Sequence, residues 1–232
     1  MYRDDFLTFV RPINYYDGGE YIWGAGTCFF VRYLEDIYMI AAEHSLSVSF
    51  SELSKLHVFL EGSKECVSFR GAWRYSALTS CGEVEEDIVA LRVSKESVHY
   101  KQLRKTAIVM PVQAFSAVRL EIGDRIFVCG YPVETKEYGS DGTSIVDEFL
   151  FRDGLYSGCK DELYAVECRS TYHSLDGMSG SPVFVEREGR VLLVGLLVAA
   201  AKDGRVMHFL SSNYICNLVA LVSDLSMRPD TT

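Results

Sequence analysis

Ile37-Tyr38-Met39-Ile40-Ala41-Ala42 is a short apolar stretch that ends at the polar residues Glu43-His44-Ser45. Its length and its branched and aromatic side chains predict a buried β-strand rather than a helix. Similar stretches, separated by turns, recur between residues 6 and 210 without alternating helical patterns. Such a succession is typical of an all-β protein built as barrels or a sandwich. The predicted strands cover residues 21–31, 36–42, 56–60, 66–69, 87–93, 107–112, 125–130, 144–151, 163–169, 182–186, 191–201 and 205–211.

The end of the chain has a different spacing. Ser212 or Asn213 is suited to cap a helix, and the apolar residues that follow recur at intervals of three and four. These residues are Tyr214, Ile215, Leu218, Val219, Leu221, Val222 and Leu225. We expect a C-terminal helix that packs on the second half of the molecule. The charged stretch 94–105 lacks strand alternation and is the expected connection between the two halves.

Length and charge exclude several functional classes. The 232 residues, 48% of them hydrophobic, are enough for one large all-β unit or for two small barrels. A net charge of -9 without a basic cluster argues against a nucleic-acid partner. The first residues lack the apolar stretch of a secretory signal, which favours a cytoplasmic protein. The longest apolar run, 191–201, has about half the length of a membrane-spanning helix, so no membrane is expected.

The cysteines are odd in number and show no metal-binding spacing. They are Cys28, Cys66, Cys81, Cys129, Cys159, Cys168 and Cys216. Without a C-x-x-C or His-paired pattern, neither a complete disulfide framework nor a metal site is predicted. Cys159 and Cys168 are candidate neighbours across a hairpin, but small buried thiols are the default interpretation. No cofactor is expected.

The stretch Leu175-Asp176-Gly177-Met178-Ser179-Gly180-Ser181-Pro182-Val183-Phe184 places a serine between glycines. Acyl transfer needs a nucleophile on a tight turn, free amides near it, a base and an acid that orients the base. Glycines allow a sharp turn here, and the amides of Gly177 and Ser179 are the candidate oxyanion hole. A glycine- and serine-rich turn before a proline is also common as a plain loop.

His44 and Asp87 are the candidate base and acid. His44 stands where an apolar strand ends, and Asp87 stands at the head of the apolar stretch Ile88-Val89-Ala90-Leu91. A histidine at the surface end of a strand is well placed for proton transfer, and a partly buried carboxylate can orient it. Each residue also has a plain interpretation, His44 as the end of a strand and Asp87 as a turn or capping residue.

Four stretches, in this order, resemble the trypsin-like serine peptidases. They are Gly26-Thr27-Cys28-Phe29-Phe30-Val31, Ala42-Glu43-His44, Asp87-Ile88-Val89-Ala90-Leu91 and Gly177-Met178-Ser179-Gly180-Ser181-Pro182. The order His, Asp, Ser is that of the chymotrypsin type. Arg125-Ile126-Phe127-Val128-Cys129-Gly130-Tyr131-Pro132 is similar to a strand end of bacterial glutamyl endopeptidases, and His208-Phe209-Leu210-Ser211-Ser212-Asn213 to a strand-to-helix passage of HtrA-like proteases.

The resemblance implies two Greek-key antiparallel β-barrels with a C-terminal α-helix. It places His44 and Asp87 on an N-terminal barrel, residues 1–100, and Ser179 on a C-terminal barrel with the helix, residues 101–232. It implies a serine endopeptidase that acts on protein or peptide substrates.

The resemblance also implies a substrate pocket, formed by His173, Ser174, Val198, Ala199, Ala200 and His208. No acid stands at its base, which disfavours substrates with Arg or Lys before the cleaved bond. The two histidines either favour an acidic side chain or are core or rim residues. Val198 is expected to offer its backbone to an extended substrate strand.

The chain departs from the secreted animal enzymes at two positions. Ser45 stands where they have a disulfide cysteine, which favours an intracellular or bacterial-type member. Met178 stands where zymogen-activated relatives have an aspartate that binds a newly cut N-terminus. The site is therefore expected to form without processing, or to be ordered by a regulatory partner or by substrate. The alternative function is a catalytically silent binding or scaffold module, while Pro182 after the serine disfavours a lipase or esterase.

Overall fold

The computed structural model describes residues 3–16, 22–46, 50–79, 82–110, 118–138, 145–146, 148–168 and 174–227. The strands of the first half are β1 (Val10–Tyr16), β2 (Ile22–Tyr33), β3 (Asp36–Ala41), β4 (Leu56–His57), β5 (Phe69–Thr79), β6 (Gly82–Val93) and β7 (Ile108–Val109). Those of the second half are β8 (Arg125–Gly130), β9 (Glu137–Tyr138), β10 (Ile145–Val146), β11 (Leu150–Lys160), β12 (Leu163–Cys168), β13 (Pro182–Arg187), β14 (Arg190–Ala200) and β15 (Val206–Ser211). The helices are α1 (Arg3–Leu7), α2 (Tyr100–Thr106) and α3 (Ser212–Met227), and the 3-10 turns cover Glu43–Ser45, Phe50–Lys55 and Val133–Thr135.

Two large sheets divide the chain, and β9 and β10 form a separate two-stranded sheet. The first has the order β4-β1-β2-β3-β6-β5, with β7 added in parallel beside β2. The second has the order β11-β12-β15-β14-β13-β8 and closes into a barrel because β8 also pairs with β11. Apart from β7, the strands of both sheets pair antiparallel within the described residues. The predicted all-β fold, with two barrel-like sheets and a C-terminal helix, is confirmed.

Helix α2 is not predicted from the sequence and occupies much of the expected connection 94–105. It has seven residues, of which Leu103 is buried, and so short a helix shows no apolar period. The chain then returns through β7 to the first sheet, where Ile108 lies opposite Val31. The division of the chain at residues 100 and 101 stays a prediction.

Helix α3 packs chiefly on the first sheet, and only in part on the second barrel as the sequence predicts. Ile215, Leu218 and Val219 are buried in the same core as the apolar residues of β2, β3 and β6. The ring of Tyr214 meets that of Tyr75 edge-on at 5.0 Å. The second barrel is closed and filled by its own side chains, whereas the first sheet leaves apolar surface for the helix to cover.

The start of the chain joins the two sheets through aromatic rings. Phe6 and Phe9, each 3% exposed, lie just before β1 of the first sheet. The Phe6 ring lies 5.7 Å from Phe151 and 5.2 Å from Phe184, which belong to the second barrel. The Phe9 ring lies 6.5 Å from that of Phe184. Such contacts between aromatic rings stabilise beyond the area that they bury.

Replacing Phe6 by alanine should destabilise the protein, because the substitution leaves a cavity at the contact between the sheets. We expect the free energy of unfolding to fall by about 3–5 kcal/mol, measured by urea denaturation. Ile122→Ala is the control, since Ile122 is 80% exposed and its loss should change stability by less than about 0.5 kcal/mol. Equal unfolding midpoints for Phe6→Ala and Ile122→Ala would show that this contact does not stabilise the fold.

Candidate active site

His44 and Asp87 are joined by two hydrogen bonds. His44 follows β3 directly in the turn Glu43–Ser45, and β6 lies beside β3. Asp87 Oδ1 accepts the backbone amide of His44 at 2.9 Å, and Oδ2 lies 2.5 Å from His44 Nδ1. A carboxylate partner makes Nδ1 the donor of the neutral ring, which leaves Nε2 as a proton acceptor. The pair is therefore arranged as an oriented base.

Asp87 lies inside β6 and not at the head of a strand, which corrects the sequence interpretation. The register between β5 and β6 shifts between Arg74 and Tyr75, so Asp87 and Ile88 have no partner residue on β5. Such an irregularity redirects side chains and is frequent beside active sites. Ile88 is fully buried, whereas the Asp87 side chain is 33% exposed and points to His44.

The hydrogen bond from His44 to Asp87 raises the pKa of the histidine. Partial burial of the ring lowers that pKa, and the charge of Asp87 raises it further. The folded protein thus stabilises the protonated ring relative to the unfolded chain. Its contribution to stability is fully present below the ordinary pKa of histidine and is lost as the pH rises through the raised pKa.

Backbone hydrogen bonds hold the loop 175–181, which we call the serine loop. Within it, the Met178 amide donates to the Leu175 carbonyl at 2.9 Å, and the Ser181 amide donates to the Met178 carbonyl at 2.9 Å. The Gly180 amide donates to the Leu197 carbonyl at 2.8 Å and ties the loop to β14. The loop therefore has a defined backbone conformation.

The amides of Gly177 and Ser179 are left out of this network. In the part of the chain that the structure describes, neither donates a hydrogen bond. The Asp176 carbonyl accepts from the Val133 amide at 2.7 Å, and the Met178 carbonyl is turned into the loop. Because N–H and C=O point in opposite directions across a trans peptide, the two unused amides face away from these partners. Two such amides are suited to bind a developing oxyanion.

Two glycines allow this conformation. Gly177 has φ +87° and Gly180 has φ +88°, a region that side chains rarely adopt. A Cβ atom on Gly180 would also lie 2.0 Å from the Thr27 carbonyl oxygen of the first sheet. The glycines that flank the serine are therefore required by both backbone conformation and space.

Ser179 lies against the first sheet, next to the turn that carries His44. The Ser179 carbonyl accepts from the Thr27 amide at 2.9 Å and lies 3.5 Å from the Ser45 hydroxyl. The Ser179 hydroxyl donates to the Val198 carbonyl at 3.5 Å. Among the described contacts no hydrogen bond joins the side chains of Ser179 and His44. In many enzymes such a bond tightens only when substrate binds.

Two of the predicted pocket residues precede the serine loop. His173 lies outside the described residues. The Ser174 amide donates to Glu134 Oε2 at 3.2 Å, and its hydroxyl accepts from the Asp176 amide at 3.1 Å. Ser174 therefore helps to shape the loop in addition to its predicted place in a pocket.

The other predicted pocket residues come from β14 and β15. Val198 lies at a register shift between these strands, so it has no partner residue on β15. Ala199 and Ala200 are exposed, and His208 lies opposite Ala199. His208 Nδ1 is buried and has no hydrogen-bond partner within the described residues.

Sequence reasoning missed two residues of the site. Thr27 is fully buried and Ser45 is 2% exposed, and both contact Ser179. The Tyr15 hydroxyl donates to the Ser45 carbonyl at 3.0 Å and helps to hold the turn beside His44. In the sequence, Thr27 stands inside one of the stretches that resemble the trypsin-like peptidases and Ser45 follows His44, but the burial of both is visible only in the fold.

The cysteines and acids of the described residues form no bridge or metal site. Six cysteines are free thiols, and Cys81 lies outside the described residues. Cys159 lies opposite Tyr164 and Cys168 opposite Gly154, so the two cysteines do not face each other. The described part of the chain contains no cluster of three His, Cys, Asp or Glu residues placed to hold a metal. None of its helices is both long and apolar enough to cross a membrane.

Comparison with known proteins identifies the fold. No protein-family model and no curated protein sequence matches the chain. The structure is similar to human heparin binding protein, with 14% sequence identity, a TM-score of 0.65 and coverage of 100% of this chain and 97% of that one. A mutant of the same human protein matches with 12% identity, a TM-score of 0.62 and the same coverage. The chain therefore has the chymotrypsin fold, while the bacterial subtype stays a prediction.

Replacing Asp87 by asparagine should lower the pKa of His44, because the substitution removes both the charged acceptor and its charge. NMR titration of the histidine rings measures this directly. His57, whose pKa is lowered by burial, is an internal control and should titrate as before. An unchanged pKa for His44 in folded Asp87→Asn protein would contradict the assigned contact.

Proposed function

We propose that the chain is a serine endopeptidase that uses Ser179 as nucleophile, His44 as base and Asp87 as the acid that orients it. The observation that carries the proposal is the pair of unused amides at Gly177 and Ser179, which lie at the candidate nucleophile itself. The turn that contains His44 contacts Ser179 through the hydroxyl of Ser45. Acyl transfer is the chemistry that needs this combination.

The proposed cycle has two stages. The Ser179 hydroxyl attacks the carbonyl carbon of the peptide bond, and its proton passes to His44 Nε2. The amides of Gly177 and Ser179 stabilise the resulting oxyanion, and His44 returns the proton to the leaving amine as the C–N bond breaks. Water, deprotonated by His44, then hydrolyses the acyl-enzyme and releases Ser179. Asp87 stabilises the protonated ring in both stages.

Met178 supports a site that forms without proteolytic processing. Its side chain is fully buried in the core of the second barrel, where Leu175 and Met207 are its partners in the same cluster. Hydrophobic burial therefore anchors the residue before the serine, in place of an ion pair with a new N-terminus. Activity that appears only after cleavage near the start of the chain would contradict this proposal.

The alternative is a silent binding module on the same fold. The fold alone does not decide between them, because one fold hosts many functions. The similar human protein is named for heparin binding rather than for proteolysis. The direct contact of Asp87 with His44 and the two unused amides favour the enzyme, since a binding surface requires neither.

Ser179→Ala should abolish peptide hydrolysis while the fold stays intact, because only one small hydroxyl is lost. We expect turnover to fall by about 10⁴-fold or more, measured on a mixed peptide substrate library. A fluorophosphonate probe should label the wild-type chain at Ser179 and leave Ser179→Ala unlabelled.

Ser68→Ala is the matched control, because Ser68 is an exposed serine directly before β5 and its loss should leave labelling unchanged. Folded wild-type protein that neither reacts with the probe nor cleaves any peptide would favour the binding module.

We propose that His208 selects substrates with an acidic residue before the cleaved bond. Its side chain is half-buried opposite the exposed Ala199, and its Nδ1 has no hydrogen-bond partner within the described residues, so the ring is available to bind a substrate carboxylate. Cleavage profiling should show Glu or Asp preferred over Lys or Arg, and His208→Gln should reduce that preference about tenfold or more. His57→Gln, at a histidine on β4 of the first sheet, is the control. Cleavage after Lys or Arg, or an unchanged profile in His208→Gln, would refute this role.

A further inference from the structure

Thr27 is a fully buried residue of β2 that lies where the two sheets meet. Its surroundings leave little space. A Cβ atom on Gly130 of the second barrel would lie 2.7 Å from Thr27 Oγ1, and one on Gly180 would lie 2.0 Å from the Thr27 carbonyl oxygen. The two glycine backbones therefore approach Thr27 too closely for a side chain to fit at either position.

Three hydrogen bonds connect Thr27 to the second barrel. Its amide donates to the Ser179 carbonyl at 2.9 Å, and its hydroxyl lies 3.0 Å from the Gly177 carbonyl. The Tyr131 amide donates to the same hydroxyl at 2.9 Å. An amide N–H has no acceptor capacity, so the hydroxyl proton is free to go only to Gly177. The Thr27 hydroxyl therefore accepts from the Tyr131 amide and donates to the Gly177 carbonyl.

These bonds hold two peptide groups of the serine loop, the one that joins Gly177 to Met178 and the one that joins Ser179 to Gly180. The peptide groups that carry the unused amides of Gly177 and Ser179 lie directly before them in the chain. The peptide after Gly177 is held on both sides, by the Thr27 hydroxyl at its carbonyl and by the Leu175 carbonyl at its N–H. The peptide after Ser179 is held by the Thr27 amide at its carbonyl and by the Leu197 carbonyl at its N–H. Because neighbouring peptides share Cα atoms, holding these two limits the rotation of the peptides that carry the unused amides.

We infer that Thr27 is a positioning residue for the oxyanion hole, and that its hydroxyl holds the amides of Gly177 and Ser179 in the orientation that catalysis needs. This inference rests on the proposed peptidase function. Thr27 belongs to the sheet that carries His44, so the same residue sets the oxyanion-binding amides relative to the base. Its contribution is made in the transition state, where charge develops on the oxygen, and not in substrate binding.

Thr27→Val tests the role, because valine has the shape of threonine without the hydroxyl. We expect kcat to fall about 10- to 100-fold with little change in KM, since the amides themselves remain. Thr27→Ser keeps the hydroxyl and should retain most of the wild-type kcat. A Thr27→Val enzyme with wild-type kcat, or a Thr27→Ser enzyme as impaired as Thr27→Val, would overturn the inference while leaving the peptidase proposal standing.

A second measurement does not depend on activity. Amide NMR of Thr27→Val should show faster hydrogen exchange at Tyr131 and shifted amide signals for Gly177 and Ser179, with Thr27→Ser close to wild type. Thr27→Ala replaces Thr27→Val in this comparison if the valine variant does not fold. Unchanged signals at both Gly177 and Ser179 in the variant without the hydroxyl would overturn the inference, even in a protein that lacks peptidase activity.

Discussion

Hydrogen bonding of the serine loop is the constraint on which the candidate site depends. The carbonyls of residues 175–179 each accept a hydrogen bond, from the loop itself, from Val133 or from Thr27. Buried backbone groups are almost always paired, so a loop with these five carbonyls engaged has few alternatives. The amides of Gly177 and Ser179 donate to none of these partners. Their availability follows from how the rest of the loop is satisfied, and the glycine conformations make that arrangement possible.

The residues of the proposed reaction are divided between the two sheets. The first sheet supplies His44 and Asp87, and the second barrel supplies Ser179 and the unused amides. A reaction that needs all of them is sensitive to displacement of one sheet relative to the other. The close contacts of Thr27 and Gly180, and the aromatic contacts of Phe6, oppose such a displacement.

Local patterns are sufficient to predict most of the fold, since alternation and turn residues identify strands whatever their partners. The order of the motifs along the chain is enough to identify the candidate base, acid and nucleophile. Three features of the structure cannot be predicted from local patterns or from the order of the motifs. The irregularity at Asp87 depends on the register with β5, the packing of α3 depends on which sheet is open, and the role of Thr27 depends on a contact across 150 residues of sequence. Each is set by tertiary pairing, which a local pattern does not contain.

The most direct test of the account is a crystal structure of the protein after reaction with a peptidyl boronic acid or fluorophosphonate. We expect a tetrahedral adduct on Ser179 Oγ, with one oxygen about 2.7–3.1 Å from the amides of both Gly177 and Ser179 and with the His44 ring facing the adduct. An adduct whose oxygen points away from both amides, or one formed on a different residue, would contradict the account.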